Sequence, residues 1–298
     1  MVEILSGIDR SKVLLAHYKQ QVAQMKAQFN IVPKLVVITV GEDPASRVYV
    51  GQKEKKAKSI GFDFEWLTLP KTISQQELLN TINQLNADTG VNGMILQLPL
   101  PQHLNERLLL EAIAPHKDVD GFHPINMGKL MANQATLLPC TPKGILDLLK
   151  AHQIEMSGKH VVVVGRSLIV GLPLQQLLIH ENATVTVCHS RTVDLQAMTK
   201  QADIIVSAVG QPALITKEMV KPGAVVIDVG INRQENGKLV GDVQYEEVSE
   251  VAAAITPVPG GVGPMTVAML MQQTLQCACE QHQIDINSLY NSSNIEKI

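Results

Sequence analysis

No stretch of the 298-residue chain approaches about 20 consecutive apolar residues, so no membrane span is expected. The opening residues, MVEILSGIDR, lack a basic segment followed by an apolar run, and no secretory signal is expected either. Neither sign of charge is in large excess: 25 Lys+Arg stand against 28 Asp+Glu, a net charge of −3. Nucleic acid or an anionic membrane surface as partner would need a basic surplus, so both are excluded as expectations. The four cysteines, Cys140, Cys188, Cys277 and Cys279, show no paired CxxC spacing. That argues against a disulfide framework and for reduced thiols in a cytoplasmic protein. His103, His116 and His123 have no metal-ligand spacing and HExxH is missing, so no metal is expected. Repeats and low-complexity tracts are also lacking. Aromatic residues make up only 3%, with one tryptophan, Trp66.

What is present is a chain of 45% hydrophobic and 18% charged residues, too apolar for wholesale disorder. Its Val, Ile, Leu, Ala and Met suit parallel sheets covered by helices. Apolar runs at 34–40 (KLVVITV), within 61–68 and at 92–98 read as strands. Helical patterns at 44–60 and 74–86 separate them. Asp43 is the expected cap of the first helix, Pro44 suits its first turn, and Gly61 ends it. A further helix is expected from Thr141, as cap, to Lys150. A second strand series follows at 160–164 (HVVVV), 184–188, 203–208, 224–229 and about 253–257, then a helix over 264–281. The polar tail beyond Asp285 is expected to fray. The boundary falls at 138–142, giving domains 1–140 plus 265–298, with the last helix returning to the first block, and 141–264.

In the second block, strand 160–164 runs into Gly165-Arg166-Ser167-Leu-Ile-Val-Gly171-Leu-Pro173. A glycine turn between strand and helix can expose backbone N–H groups to a phosphate, although it can also be a turn with no ligand. The next strand ends at Cys188-His189-Ser190-Arg191, where an NAD site commonly carries Asp or Glu. A carboxylate there would repel a 2′-phosphate, whereas Ser190, Arg191 and Arg166 would hold one, which favours NADP. The turns at 209–212 and 228–232 lie where such a sheet presents ligand-facing loops.

In the first block Ser46, Tyr49, Lys53 and Lys56 share one helix face. Tyr49 and Lys53, one turn apart, could pair as acid and base, the phenol hydrogen-bonding the amine. A lysine base starts from a pKa of ~10.4, so it needs a cationic neighbour or desolvation. Gln97, in the strand-end sequence Gln97-Leu98-Pro99, could reach Lys53 or could serve as a buried amide. Asp118 and Asp120 could bind a cation, accept hydrogen bonds from an amino-substituted ring or simply shape a turn. The run 256–266 (TPVPGGVGPMT) is so rich in Gly and Pro that it suggests a rigid wall against a flat ligand.

These segments, SRVYVGQKEKKA (46–57), QLPLP (97–101), KDVDGFHPIN (117–126), CTPKG (140–144), VVGRSLIVGLP (163–173), DVGIN (228–232) and PVPGGVGPMT (257–266), span nearly the whole chain. Together they resemble the bifunctional methylenetetrahydrofolate dehydrogenase/methenyltetrahydrofolate cyclohydrolase (FolD) family. The resemblance implies an α/β fold of two parallel-sheet domains, an N-terminal folate/catalytic domain and a Rossmann-type NADP domain, with a cleft between them. It implies oxidation of 5,10-methylenetetrahydrofolate with NADP and hydrolysis of the methenyl product to 10-formyltetrahydrofolate. Lys53 is then the key cyclohydrolase residue, with Tyr49 beside it, Gln97 tuning it and Asp120 holding the pterin. Leu98, Pro99, Pro259, Gly260, Gly261, Val262 and Gly263 complete the folate site. Gly165, Arg166, Ser167, Ser190 and Ile231 contact the cofactor, with Arg191 added from the phosphate argument above. A homodimer, a place in purine biosynthesis, and no third, synthetase activity, for which the length leaves no room, are implied too. The alternatives are a shikimate dehydrogenase-like NADP oxidoreductase and a non-catalytic nicotinamide sensor.

Overall fold

The computed structural model describes residues 1–234 and 236–289. Most of the tail expected to fray, 290–298, lies outside the described residues. Backbone contacts divide the chain into two units. One comprises residues 1–12, 130–133 and 139–266, and the other 13–129, 134–138 and 267 onward.

The second of these units is built on a three-stranded parallel sheet. Lys34–Val40 lies in the middle, paired with Asp63–Leu69 from Lys34↔Asp63 to Val40↔Leu69 and with Gly93–Leu96 from Leu35↔Gly93 to Ile38↔Leu96. A central strand is covered on both faces, which is why Leu35, Val36, Val37 and Ile38 form an unbroken apolar run. Helix Pro44–Ile60 joins the first pair, with the Asp43 carboxylate accepting the Ser46 N–H at 2.7 Å and Gly61 ending it in the left-handed region, φ 93°. Helix Gln75–Ala87 opens with a Ser74/Glu77 capping box and buries Leu78 and Ile82. These side chains pack with Val36, Ile38, Met94, Leu96 and Leu109 into one core. The chain leaves the middle strand toward one neighbour and later crosses to the other. The crevice at the carboxyl ends of Lys34–Val40 and Gly93–Leu96 is therefore where such a sheet binds ligands. Residues 267–281 of helix Val262–Gln281 also belong to this unit: the Asn92 amide donates to Gln281 at 2.6 Å.

Gly7–Phe29 and Pro124–Met131 are among the helices not anticipated from sequence. The first carries a readable stripe, Leu14, Tyr18, Val22 and Met25, all buried.

The other unit holds a six-stranded parallel sheet in the order Glu3–Ile4, Ala254–Ile255, Val225–Asp228, Ile204–Ser207, His160–Val164, Thr184–Cys188. Its apolar core includes Val162, Val164, Ile205, Val226 and Ile255. The chain enters at His160–Val164, moves to Thr184–Cys188 on one side and returns to Ile204–Ser207 on the other. The direction thus reverses at the His160–Val164/Ile204–Ser207 boundary. A short antiparallel pair, Asn232–Arg233 with Leu239–Val240, follows the fifth of these strands in chain order.

Two expectations are corrected here. Residues 1–12, assigned from sequence to the first block, belong to the six-strand unit, because Glu3–Ile4 extends that sheet's edge beside Ala254–Ile255. Thr141 does not cap its helix. The helix is Cys140–Ala151, Pro139 precedes it without a side-chain cap, and the Thr141 hydroxyl lies 2.9 Å from that of Thr266. All four cysteines are buried and form no disulfide. Among the described residues no helix is long and apolar enough to cross a membrane.

Candidate active site

Helix Pro44–Ile60 carries Lys53 to the carboxyl end of Gly93–Leu96, where Gln97 waits. The Lys53 ammonium donates to Gln97 Oε1 at 3.0 Å. The Gln97 amide is held in register from both ends: its backbone N–H donates to Ile38 at 2.9 Å and its Nε2 to the Leu98 carbonyl at 3.0 Å. Ser46, two turns before Lys53, donates to the same carbonyl at 3.4 Å. With Nε2 committed to Leu98, Oε1 is the atom that faces the lysine. The Leu98–Pro99 bond is cis. Tyr49 does not form the expected pair with Lys53. It is 42% exposed, and its hydroxyl has no hydrogen bond among the described residues. One helical turn places the two side chains on one face, but the amide reached the lysine instead.

The two carboxylates of 117–121 separate into different roles. Asp118 is buried and accepts from the His123 N–H at 2.7 Å and the Asn126 amide at 3.0 Å. It shapes the loop. Asp120 is half-buried, has no hydrogen bond among the described residues, and feels the Lys53 charge. Burial pushes its carboxyl above the ordinary range, Lys53 draws it down, and Asp118 adds to the rise. Its loop is pinned by residues that sequence reasoning missed. The Gln273 amide donates to the carbonyls of Val119 at 2.7 Å and Leu138 at 2.9 Å. Gly93 leaves room for Val119, whose methyl would lie 2.6 Å from a Cβ there.

Lys117, also missed, is 3% exposed. Its ammonium donates to the carbonyls of Leu85 (2.9 Å) and Asp88 (2.6 Å), the end of helix Gln75–Ala87. Burial lowers its pKa, but the carbonyls and the helix dipole favour a cation there. Lys117→Met keeps the stem and takes the ammonium from both carbonyls, of which that of Asp88 keeps the Val91 N–H at 3.2 Å. It is expected to lower unfolding free energy by about 2–3 kcal/mol in urea titration.

At the reversal point of the six-strand sheet, Gly165 adopts φ 123°, and a Cβ there would lie 2.5 Å from the Ala208 carbonyl oxygen. The expected phosphate pocket differs in one respect. The start of helix Gly171–His180 is already satisfied: Ser167 Oγ accepts from Val170 (3.2 Å) and Gly171 (3.4 Å), Leu172 donates to the Ser167 carbonyl (3.1 Å), and Pro173 has no N–H. The open donors lie earlier. The N–H groups of residues 166–169 have no partner among the described residues. Arg166, Ser190 and Arg191 are exposed, and no carboxylate stands at the end of Thr184–Cys188. Exposed Leu168, Ile169, Val209 and Ile231 add apolar surface around them. Arginines, a hydroxyl and free backbone N–H groups suit the phosphates of a dinucleotide, and the apolar side chains suit its rings.

In the Gly/Pro run, the Val258–Pro259 bond is cis and Gly260 has φ 112°. Its carbonyl accepts from Ile8 at 3.0 Å, and the Gly261 N–H donates to Pro257 at 2.8 Å. Pro259 is exposed, and Gly260 and Gly263 are half-buried. Gly261 and Val262 are buried, so the Val262 side chain packs inward rather than presenting itself to a ligand. A Cβ on Gly263 would lie 3.9 Å from Ile231 Cδ1, which brings the run beside the 228–232 loop.

Residues 5–120 match the family model described as tetrahydrofolate dehydrogenase/cyclohydrolase, catalytic domain, and residues 139–282 the NAD(P)-binding domain of the same family. A bifunctional protein FolD from Exiguobacterium sibiricum is 55% identical over 278 residues, covering 93% of this chain and 100% of that protein. A crystal structure of the bifunctional enzyme FolD from Campylobacter jejuni superposes with TM-score 0.93 at 47% identity, covering 94% of this chain and 99% of that one. The Trypanosoma brucei methylenetetrahydrofolate dehydrogenase-cyclohydrolase, solved with NADP cofactor and inhibitor, gives 0.91 at 37% identity, with 95% and 99% covered. A shikimate dehydrogenase from Aquifex aeolicus reaches only 0.50 at 13% identity, covering 87% and 96%, a likeness of fold alone.

Proposed function

The chain belongs to the tetrahydrofolate dehydrogenase/cyclohydrolase family, and from that premise we propose how its residues divide the two reactions. The enzyme oxidises 5,10-methylenetetrahydrofolate to the 5,10-methenyl cation with NADP and hydrolyses that cation to 10-formyltetrahydrofolate. NADP, when bound, accepts the hydride of the methylene carbon.

No proton acceptor is needed in that step, because a substrate nitrogen lone pair forms the cation as the hydride leaves. The protein's part is positioning. Asp120 accepts hydrogen bonds from the amino-pterin end, Tyr49 offers its exposed ring to the folate, and Leu98 and Pro99 shape the surface against it. Arg166, Ser190 and Arg191 take the cofactor's phosphate, Ser167 shapes that turn, and Ile231 borders the cofactor's ring.

Hydrolysis needs proton handling. Water bonds to the methenyl carbon and loses a proton. The hydroxyl proton then leaves as the carbon–N5 bond breaks and N5 takes one up, so one proton is released overall. Lys53 is the proton acceptor, and Gln97 Oε1 fixes its Nζ. A cationic substrate beside the ammonium repels it and so favours the neutral amine. Both reactions act on the same carbon, so one bound folate serves both.

The observation that carries this reading is the Lys53–Gln97 hydrogen bond with Asp120 in the field of the same lysine. The finer reading is of a homodimeric cytoplasmic enzyme that supplies formyl groups to purine biosynthesis, with no nucleic-acid partner. The test is an assay of methylenetetrahydrofolate with NADP and NAD in parallel, and of shikimate with NADP. NADPH formation from the folate, followed by loss of methenyl absorbance, is expected. Turnover of shikimate instead would overturn the assignment.

A further inference from the structure

Two carboxylates outside the residues assigned above lie buried at the carboxyl ends of the six-strand sheet. Asp228 ends strand Val225–Asp228 and Asp242 follows the Leu239–Val240 strand; they are 3% and 0% exposed. Asp242 Oδ2 accepts from the Ser207 hydroxyl (3.1 Å) and the backbone N–H groups of Val209 (2.9 Å) and Gly210 (3.2 Å). Its Oδ1 accepts from the Asn232 amide at 3.1 Å. The Asp228 oxygens accept from the N–H groups of Gly230 (3.0 Å), Asp242 (2.9 Å) and Val243 (2.9 Å). Burial, with Asp242 adding repulsion, still pushes the Asp228 carboxyl up to about 6.

The packing is reciprocal. A Cβ on Gly230 would collide with the Asp242 carboxylate, and one on Gly241 with that of Asp228. Each carboxylate rests on a glycine of the other's segment. Buried charge is costly unless its oxygens are paired, and here every oxygen is. Asp242 thereby ties together two loops. One is 207–210, beside Gly165 at the reversal point. The other is 228–232, which carries Ile231. The Val209 and Gly210 N–H groups can only donate, and the Ser207 hydroxyl and Asn232 amide donate as they stand, so a carboxylate, accepting on both oxygens, satisfies all four. An amide must turn an NH2 group toward a donor.

We propose that Asp242 is a positioning residue for the cofactor: through Val209, Gly210 and Asn232 it holds the two loops against which the nicotinamide dinucleotide lies. The inference rests on the reading that this unit binds NADP. Asp242 and Lys53 belong to different units of the chain, so the effect should fall on one half of the enzyme's chemistry.

The test is fluorescence titration with NADPH of the wild type and Asp242→Asn, with cyclohydrolase activity measured without NADP and circular dichroism as the folding control. NADPH Kd is expected to rise about tenfold while cyclohydrolase stays within about twofold. Asn232→Ala, which leaves Asp242 in place and cuts its carboxylate's hydrogen bond to the 228–232 loop, should weaken NADPH by about threefold to tenfold. It decides the matter if Asp242→Asn does not fold. Should the wild type itself not bind NADPH, the functional reading and this inference fall together. With wild-type binding intact, unchanged NADPH affinity in the folded variants overturns the inference alone. So does a parallel loss of cyclohydrolase, which would mark a global defect.

Discussion

Lys53→Met is expected to lower cyclohydrolase activity by about 10²-fold or more while leaving measurable NADP-dependent dehydrogenase activity. The asymmetry follows from the chemistry of the two steps. Hydride transfer asks the protein for position and orientation, which Asp120 and the cofactor-binding residues still supply. Hydrolysis asks for a group that takes a proton from water at the methenyl carbon. Lys53 Nζ, held at 3.0 Å by Gln97 Oε1, is the group placed for it. Methionine keeps an unbranched side chain of similar length and removes only the amine. The orphaned amide oxygen of Gln97 is half-buried and can still meet water, so the fold should persist. The measurement is paired: NADPH formation from methylenetetrahydrofolate, and decay of methenyl absorbance without cofactor. Full cyclohydrolase activity in the variant would remove Lys53 from the mechanism. Equal loss of both activities would instead assign it to folate binding.

Arg166→Ala combined with Arg191→Ala is expected to raise KM for NADP by about 10–100-fold and leave KM for NAD nearly unchanged. A hydrogen bond to a charged group contributes about 1.5–3 kcal/mol, and 1.4 kcal/mol is tenfold. Both arginines are exposed, one in the turn after His160–Val164 and the other after Thr184–Cys188. Neither has a carboxylate partner among the described residues, so neither is already neutralised. Their removal should cost little stability, since exposed charges contribute little. The cofactors differ only by the 2′-phosphate, so the ratio of the two KM values isolates the arginines' effect. An unchanged ratio would place that phosphate elsewhere.

Much of this protein is legible without coordinates. KLVVITV and HVVVV read as strands because a parallel strand covered on both faces carries an unbroken apolar run, here LVVI and VVVV. Asp43 and Gly61 bound their helix through chemistry local to each residue. The family and both activities follow from motifs in order along the chain. Individual side-chain roles are less legible. Asp118 and Asp120 look alike in sequence, yet one is spent on His123 and Asn126 and the other remains open. Gln273 and Lys117 carry no local signal: their partners are Val119, Leu138, Leu85 and Asp88, some of them over 100 residues away.

The sequence by itself determined the longer strands, helix Pro44–Ile60 with its caps, the chemistry available and the kind of enzyme, because these depend on residue type and short spacing. Tertiary structure alone decided which polar groups meet. It gave Lys53 to Gln97 rather than Tyr49, closed the start of helix Gly171–His180 with Ser167, moved residues 1–12 to the larger sheet, and set Asp228 and Asp242 against each other's glycines. The physical reason is desolvation. A buried donor or acceptor must find a partner wherever the folded chain supplies one, and sequence spacing does not record where that is.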